Sequence, residues 1–269
     1  MNIKKYYLNS ERTVIMKTYL LDQVETIEWC RRRPAILILP GGGYEYCSER
    51  EAEPVAMQYL AQGYNAFVLY YTVGEKYPAA LRDAAYALCK IRLRADEFGI
   101  DPHKIAVWGA SSGGHLAGCL ATMWNDPKIA ELVGCTAEEM RPNAVILSYP
   151  VISGIKSPHK GSFDILIGKD AEFSELSRLS LENRVSPKTP PVFIWCTADD
   201  DCVSAQNSIL MAKACISNKV PVELHIFDKG PHGLSTCDKA SGWNESYYNE
   251  NCRQWIDMSV KFLERYMKV

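Results

Sequence analysis

The chain has 269 residues, 47% hydrophobic and 23% charged, with a formal net charge of −2. No Pro-, Gly- or Ser-rich linker and no internal repeat divides it, so the length suits one large α/β domain better than two small ones. The near-neutral charge argues against nucleic acid or an anionic membrane as partner, and no stretch approaches the roughly 20 apolar residues that span a bilayer. The N-terminal stretch lacks the apolar core of a signal peptide. The sharpest basic run, Arg31 to Pro34, reads as a solvated turn before a strand. Ten cysteines are scattered, with no C-x-x-C pair and no metal-type cluster. That usage fits a reducing compartment and predicts a cytoplasmic protein.

In chain order, "TVIMKTYLL" and "VETIEW" have the length and β-branched content of edge strands. "PAILILP", Pro34 to Pro40, is too short for a helix and reads as a buried strand. It runs straight into Gly41-Gly42-Gly43. A helix is predicted near Glu51–Gln62, stopped by Gly63, and "NAFVLYY" is another buried strand. "PAALRDAAYALCKIRLRADEFG" opens with proline and closes with glycine, and Leu81, Ala84, Ala85, Leu88 and Ile91 recur at helical spacing. "KIAVWG" is a strand and "GGHLAGCLATMWN" a helix. "NAVILSYP" and "PPVFIWCT" are strands, "SAQNSILMAKACIS" a helix, "PVELHIF" a strand. "NESYYNENCRQWIDMSVKFLERYM" closes the chain as a long helix. Residues 152–190 break the rhythm and predict a cap-like insertion. The alternation predicts an α/β fold with a mostly parallel sheet of about eight strands, covered by helices on both faces. In such sheets function sits in the loops at the carboxyl ends of the strands.

Four of those loops carry chemistry. "KIAVWGASSGGHLAG" is strand, tight turn, helix, with G-x-S-x-G at the turn, the pattern of a nucleophile elbow. Small residues are needed because side chains two before and two after the serine would collide with the flanking strand and helix. Ser111 has glycine at both positions, whereas Ser112 has Ala110 at one, so the register favours Ser111. Ser112 then supplies a backbone N–H to an oxyanion hole. Of five histidines, His232 lies in a Gly/Pro-rich loop after "PVELHIF" and is the favoured base, with His115 next. For the acid, Asp199, Asp200 and Asp201 stand together after "PPVFIW", and the pattern alone does not choose among them. The order Ser, Asp, His is that of the α/β-hydrolases. Gly42 and Gly43 occupy the loop where further oxyanion N–H groups are expected. A phosphate loop is excluded there, since no Gly-Lys-Ser/Thr and no G-x-G-x-x-G is present.

With these pieces assembled, the chain resembles an α/β-hydrolase of the acetyl-xylan esterase and BD-FAE-like group. The likeness rests on "LPGGGYEYCSEREAEPVA", "VLYYTVGEKYPAALRDAAYAL", "DPHKIAVWGASSGGHLAG", "TPPVFIWCTADDDCVSAQNS" and "VPVELHIFDKGPHGLS". It implies a catalytic Ser111 and His232, with Asp200 as the acid because it stands three residues before Val203. It implies oxyanion amides from Gly42, Gly43 and Ser112, and hydrolysis of short acyl esters, often acetyl groups on sugars, without metal or cofactor. Two positions depart from the group: Cys196 where the strand before the acid usually ends in histidine, and Ser204 where proline is common.

The function expected is therefore a serine carboxylesterase acting on short acyl esters of small carbohydrates such as acetylated xylo-oligosaccharides. An arylformamidase-like amidase, a peptidase or a lipase on the same fold are the rivals, and a catalytically silent binding protein is the alternative from another class. Tyr44, Tyr46, Tyr70 and Tyr71 lie near strand ends as candidates for substrate contact. The partners expected are a small ester substrate and at most further copies of the chain.

Overall fold

The computed structural model describes residues 1–268. Eight strands form one sheet: β1 Asn2–Tyr7, β2 Ile15–Leu20, β3 Arg33–Leu39, β4 Asn65–Tyr70, β5 Ile100–Ala110, β6 Ala144–Ser148, β7 Val192–Thr197 and β8 Val222–Phe227. The helices are α1 Glu53–Ala61, α2 Ala79–Leu93, α3 Ala95–Phe98, α4 Ser111–Met123, α5 Pro127–Val133, α6 Ala137–Met140, α7 Lys160–Ile167, α8 Phe173–Leu179, α9 Gln206–Ser217, α10 Glu250–Arg253 and α11 Trp255–Met267. The strand order is β1-β2-β4-β3-β5-β6-β7-β8. β1 pairs antiparallel with β2 and β2 antiparallel with β4, and every other pairing is parallel.

Every residue of β3, β6 and β7 is buried, which only a sheet covered on both faces allows. Alternate residues feed separate cores. Leu37, Leu39, Val107 and Leu147 pack with Leu88 of α2, Leu120 of α4 and Met211 of α9. Ile36, Ile38, Trp108 and Ile146 pack with Tyr59 of α1 and Phe262 of α11 on the other face. There the Trp255 ring lies stacked against Trp108 and Trp195, at 6.1 and 5.2 Å.

Four expectations differ from the structure. "VETIEW" is not a strand but a loop with a 3₁₀ turn at Glu28–Cys30. The side chains of Gln23 and Arg31 close that loop on its own carbonyls, at 2.7 and 2.9 Å. The sheet edge is β1, whose mostly exposed residues carry no apolar signal. The helix read from Pro78 to Gly99 breaks at Arg94 into α2 and α3, and Gly99 closes it in the left-handed region at φ 62°. The closing helix begins only at Trp255, because Asn249 caps the separate short α10 by accepting the Cys252 N–H. The cysteines are not all free either. Cys89 of α2 and Cys135, between α5 and α6, form a disulfide across 46 positions of sequence, a pairing no local spacing announces.

Residues 152–190 connect β6 to β7 and contain α7, α8 and a 3₁₀ turn at Leu181–Asn183. One side chain of α9 ties this segment down. Asn207 accepts the N–H groups of Ile152 and Ser153 at 2.9 and 3.0 Å. It also donates to the Ser157 carbonyl at 3.0 Å.

Candidate active site

The turn between β5 and α4 places Ser111 in the left-handed region, at φ 52°. A non-glycine residue there costs on the order of 1 kcal/mol and survives only where the surroundings impose it. They do so here by close backbone approach. A Cβ on Gly109 would sit 2.1 Å from the Gly113 carbonyl oxygen, and one on Gly113 would sit 2.1 Å from that of Leu39. The two glycines flanking Ser111 are thus where strand, helix and β3 meet.

His232, from the loop after β8, reaches this serine. Its Nε2 is 2.9 Å from Ser111 Oγ, and its Nδ1 is 2.7 Å from Asp200 Oδ2. A carboxylate only accepts, so Nδ1 carries the proton and Nε2 is left to accept from the serine hydroxyl. Asp200 is 1% exposed at its side chain, and its second oxygen accepts the N–H groups of Cys202 and Val203 at 2.9 and 2.8 Å. Asp199 does different work: its Oδ1 accepts the Gly230 N–H at 2.7 Å and so anchors the histidine loop. Asp201 is exposed.

The glycine loop after β3 has several of its polar groups committed. Gly41 N–H donates to Glu51 Oε2 at 2.7 Å and Tyr44 N–H to Ser112 Oγ at 3.3 Å. The N–H groups of Gly42 and Gly43 have no acceptor among the described residues. Ser112 lies in the first turn of α4, where N–H groups have no intrahelical partner. Its hydroxyl supports the Tyr44 amide.

Tyr44 differs from its expectation. Its side chain is buried, not turned to substrate, because its hydroxyl donates to His115 Nδ1 at 2.8 Å. His115 in turn donates from Nε2 to the Leu179 carbonyl at 2.8 Å. Burial pushes its pKa down to about 4, so it stands as a neutral strut beneath the loop, with both ring nitrogens engaged. Tyr71 is also buried, bonded to the Pro40 carbonyl at 2.6 Å, and Tyr70 donates to Glu49 at 2.9 Å. Tyr46 is exposed.

Three residues were missed by the sequence reading. Glu51 is 4% exposed and accepts a second bond from the Tyr149 hydroxyl at 2.7 Å. Its neighbour Arg50 donates to the Gly233 carbonyl at 2.7 Å, bonds the Ser241 carbonyl, and lies over the Trp243 and Tyr247 rings. His159, from the 152–190 segment, accepts the Ser162 hydroxyl at Nδ1 over 2.8 Å. Burial lowers its pKa, the nearby His232 lowers it further, and Asp200 opposes both. The only signal for Arg50 and Glu51 was their position, charged residues between the glycine loop and the helix α1.

The sheet order and the Ser–His–Asp geometry define an α/β-hydrolase. The BD-FAE family model matches residues 27–215, and the chain belongs to that family. It is 38% identical to endo-1,4-beta-xylanase B of Butyrivibrio fibrisolvens over 232 residues, 81% of this chain and 35% of that protein. It is 31% identical to an acetylxylan esterase of Xylanibacter ruminicola over 208 residues, 74% of this chain and 41% of that protein. The chain thus spans well under half the length of these curated relatives. Among solved structures it is similar to an acetyl ester-xyloside bifunctional hydrolase from Caldicellulosiruptor lactoaceticus. That likeness has a TM-score of 0.84 at 34% identity, covering 98% of this chain and 96% of that one. The carboxylesterase Cest-2923 from Lactobacillus plantarum superimposes with a TM-score of 0.86 at 26% identity, covering 98% of each chain. No helix among the described residues is long and apolar enough to cross a membrane.

Proposed function

We propose that this protein is a serine carboxylesterase that removes short acyl groups, acetyl foremost, from small carbohydrates such as acetylated xylo-oligosaccharides, in the cytoplasm. The observation that carries the reading is the Ser111–His232–Asp200 relay, with contacts of 2.9 and 2.7 Å. In the first step His232 Nε2 takes the Ser111 proton as Oγ attacks the ester carbonyl. The oxyanion forms against the N–H groups of Gly42, Gly43 and Ser112, each such donor contributing about 3–4 kcal/mol. Asp200 holds the imidazole in the accepting tautomer and stabilises its charge. His232 then gives its proton to the leaving alcohol, and the same base activates the water that frees the acid from Ser111. The influence of His232 and Asp200 on His159 supports residues 152–190 as a cap beside this site.

The acetylxylan esterase and the acetyl ester-xyloside hydrolase among the relatives support acetylated xylosides as the substrate class. The test is acetate release from acetylated xylo-oligosaccharides beside acetyl, butyryl, long-chain and formamide model substrates, with Ser111→Ala as control. The expected result is fastest turnover on acetyl esters and none by Ser111→Ala. Preference for the formamide, or release that survives Ser111→Ala, would overturn the reading.

A further inference from the structure

Glu51 is a buried carboxylate whose two oxygens are held by neutral donors, Gly41 N–H and Tyr149 O–H, both at 2.7 Å. Burying an ionised carboxylate costs several kcal/mol, and an apolar side chain in its place would often serve stability better. Its two bonds lead to different parts of the site. Gly41 opens the loop that carries the Gly42 and Gly43 amides. Tyr149 follows β6 in a left-handed conformation at φ 37°. Its hydroxyl oxygen also accepts the Ser235 N–H at 3.1 Å, three residues past His232. Its ring meets the His232 imidazole edge-on, 5.1 Å between centroids. Arg50 adds a parallel tie: its own carbonyl accepts the Ser235 hydroxyl at 2.7 Å, while its guanidinium holds Gly233.

We infer that Glu51, acting through Tyr149, is a positioning residue that holds the oxyanion loop and the His232 loop in one fixed relation. The inference rests on the esterase reading above. Its chemical content is that base and oxyanion donors must be aligned on the same tetrahedral centre at the same moment. A chain of bonds running from one loop to the other does this without touching substrate. Loosening it degrades transition-state alignment and leaves ground-state binding nearly untouched, which is the signature of a loss in kcat at constant KM.

The experiment is a double-mutant cycle on p-nitrophenyl acetate with Glu51→Gln, Tyr149→Phe and both together. Glutamine offers one acceptor where the carboxylate offers two, so it keeps at most one of the two ties. Each single variant is expected to lose about tenfold or more in kcat, with KM within about twofold. The double variant is expected to lose little beyond the worse single one, because both substitutions cut the same chain. Unchanged kcat in both singles, losses that multiply, or losses confined to KM would overturn the inference. Near-ultraviolet circular dichroism controls for folding. If Glu51→Gln does not fold, Tyr149→Phe, which removes one oxygen atom, decides alone. A wild-type protein inactive on the ester refutes the esterase reading instead. The same variants are then compared by their rate of labelling with a fluorophosphonate, and equal rates overturn the inference.

Discussion

Replacing Ser112 by alanine separates the two adjacent serines. The substitution keeps the backbone N–H and removes only the hydroxyl that accepts the Tyr44 N–H at 3.3 Å. Ser112 and Tyr44 are both buried, so water does not replace the lost acceptor. An unpaired buried donor costs about 1–3 kcal/mol, and a bond this long belongs at the lower end, about 1 kcal/mol. If all of that falls on the transition state, kcat drops about fivefold. Losing an oxyanion donor outright costs about 10²–10³-fold, and losing the nucleophile about 10⁴–10⁶-fold. The assay is kcat on p-nitrophenyl acetate for wild type, Ser112→Ala and Ser111→Ala at saturating substrate. A Ser112→Ala enzyme as dead as Ser111→Ala, or a Ser111→Ala enzyme that keeps its rate, would refute the assignment.

Among the aspartates, Asp200→Asn presents an amide to His232 Nδ1 and should cost about 10⁴-fold in kcat. Asp199→Asn keeps an acceptor for the Gly230 N–H and should cost less than about tenfold; equal losses at both positions would contradict the geometry. Gly113→Ala drives a Cβ to 2.1 Å from the Leu39 carbonyl oxygen; neither backbone can yield, so a thermal melt should show a loss above about 4 kcal/mol or no folded protein. His115 supplies a pH dependence. Its folded pKa of about 4 lies below the unfolded value of about 6.5, so the unfolded chain binds more protons between the two. Stability is therefore full above the unfolded pKa and falls as pH drops toward the folded one, by on the order of 3 kcal/mol. Urea unfolding from neutral to mildly acid pH should show this slope flattened in His115→Gln, and an unchanged slope would remove His115 as its source.

The sequence made most of the sheet readable because β3, β6 and β7 are buried on both sides and so are apolar throughout. β1 escaped for the opposite reason: a mostly exposed edge strand has no pattern to show. In the site, Ser111 and His232 stand out locally, one between glycines that permit close approach, the other in a loop at a strand's carboxyl end. The aspartates do not separate locally. Asp199 and Asp200 both accept backbone N–H groups, and only the fold directs one to Gly230 and the other to His232. Glu51 was illegible because its partner Tyr149 lies 98 positions away. Tyr44 was misjudged because proximity to a strand end does not say which way a side chain turns.

The ties that Asn207 makes to Ile152, Ser153 and Ser157 have a kinetic consequence. The same side chain reaches back to the Ser204 carbonyl at 3.2 Å, and Ser204 directly follows Val203, one of the two residues that hold Asp200. The start of the 152–190 segment is thus tied to the stretch that holds Asp200, and moving it would disturb the acid's own support. With a cap fastened in this way, the proposed esterase would sort esters by size at an opening of fixed width. Rate should rise with substrate along a plain saturation curve, with no jump where a poorly soluble ester begins to form droplets.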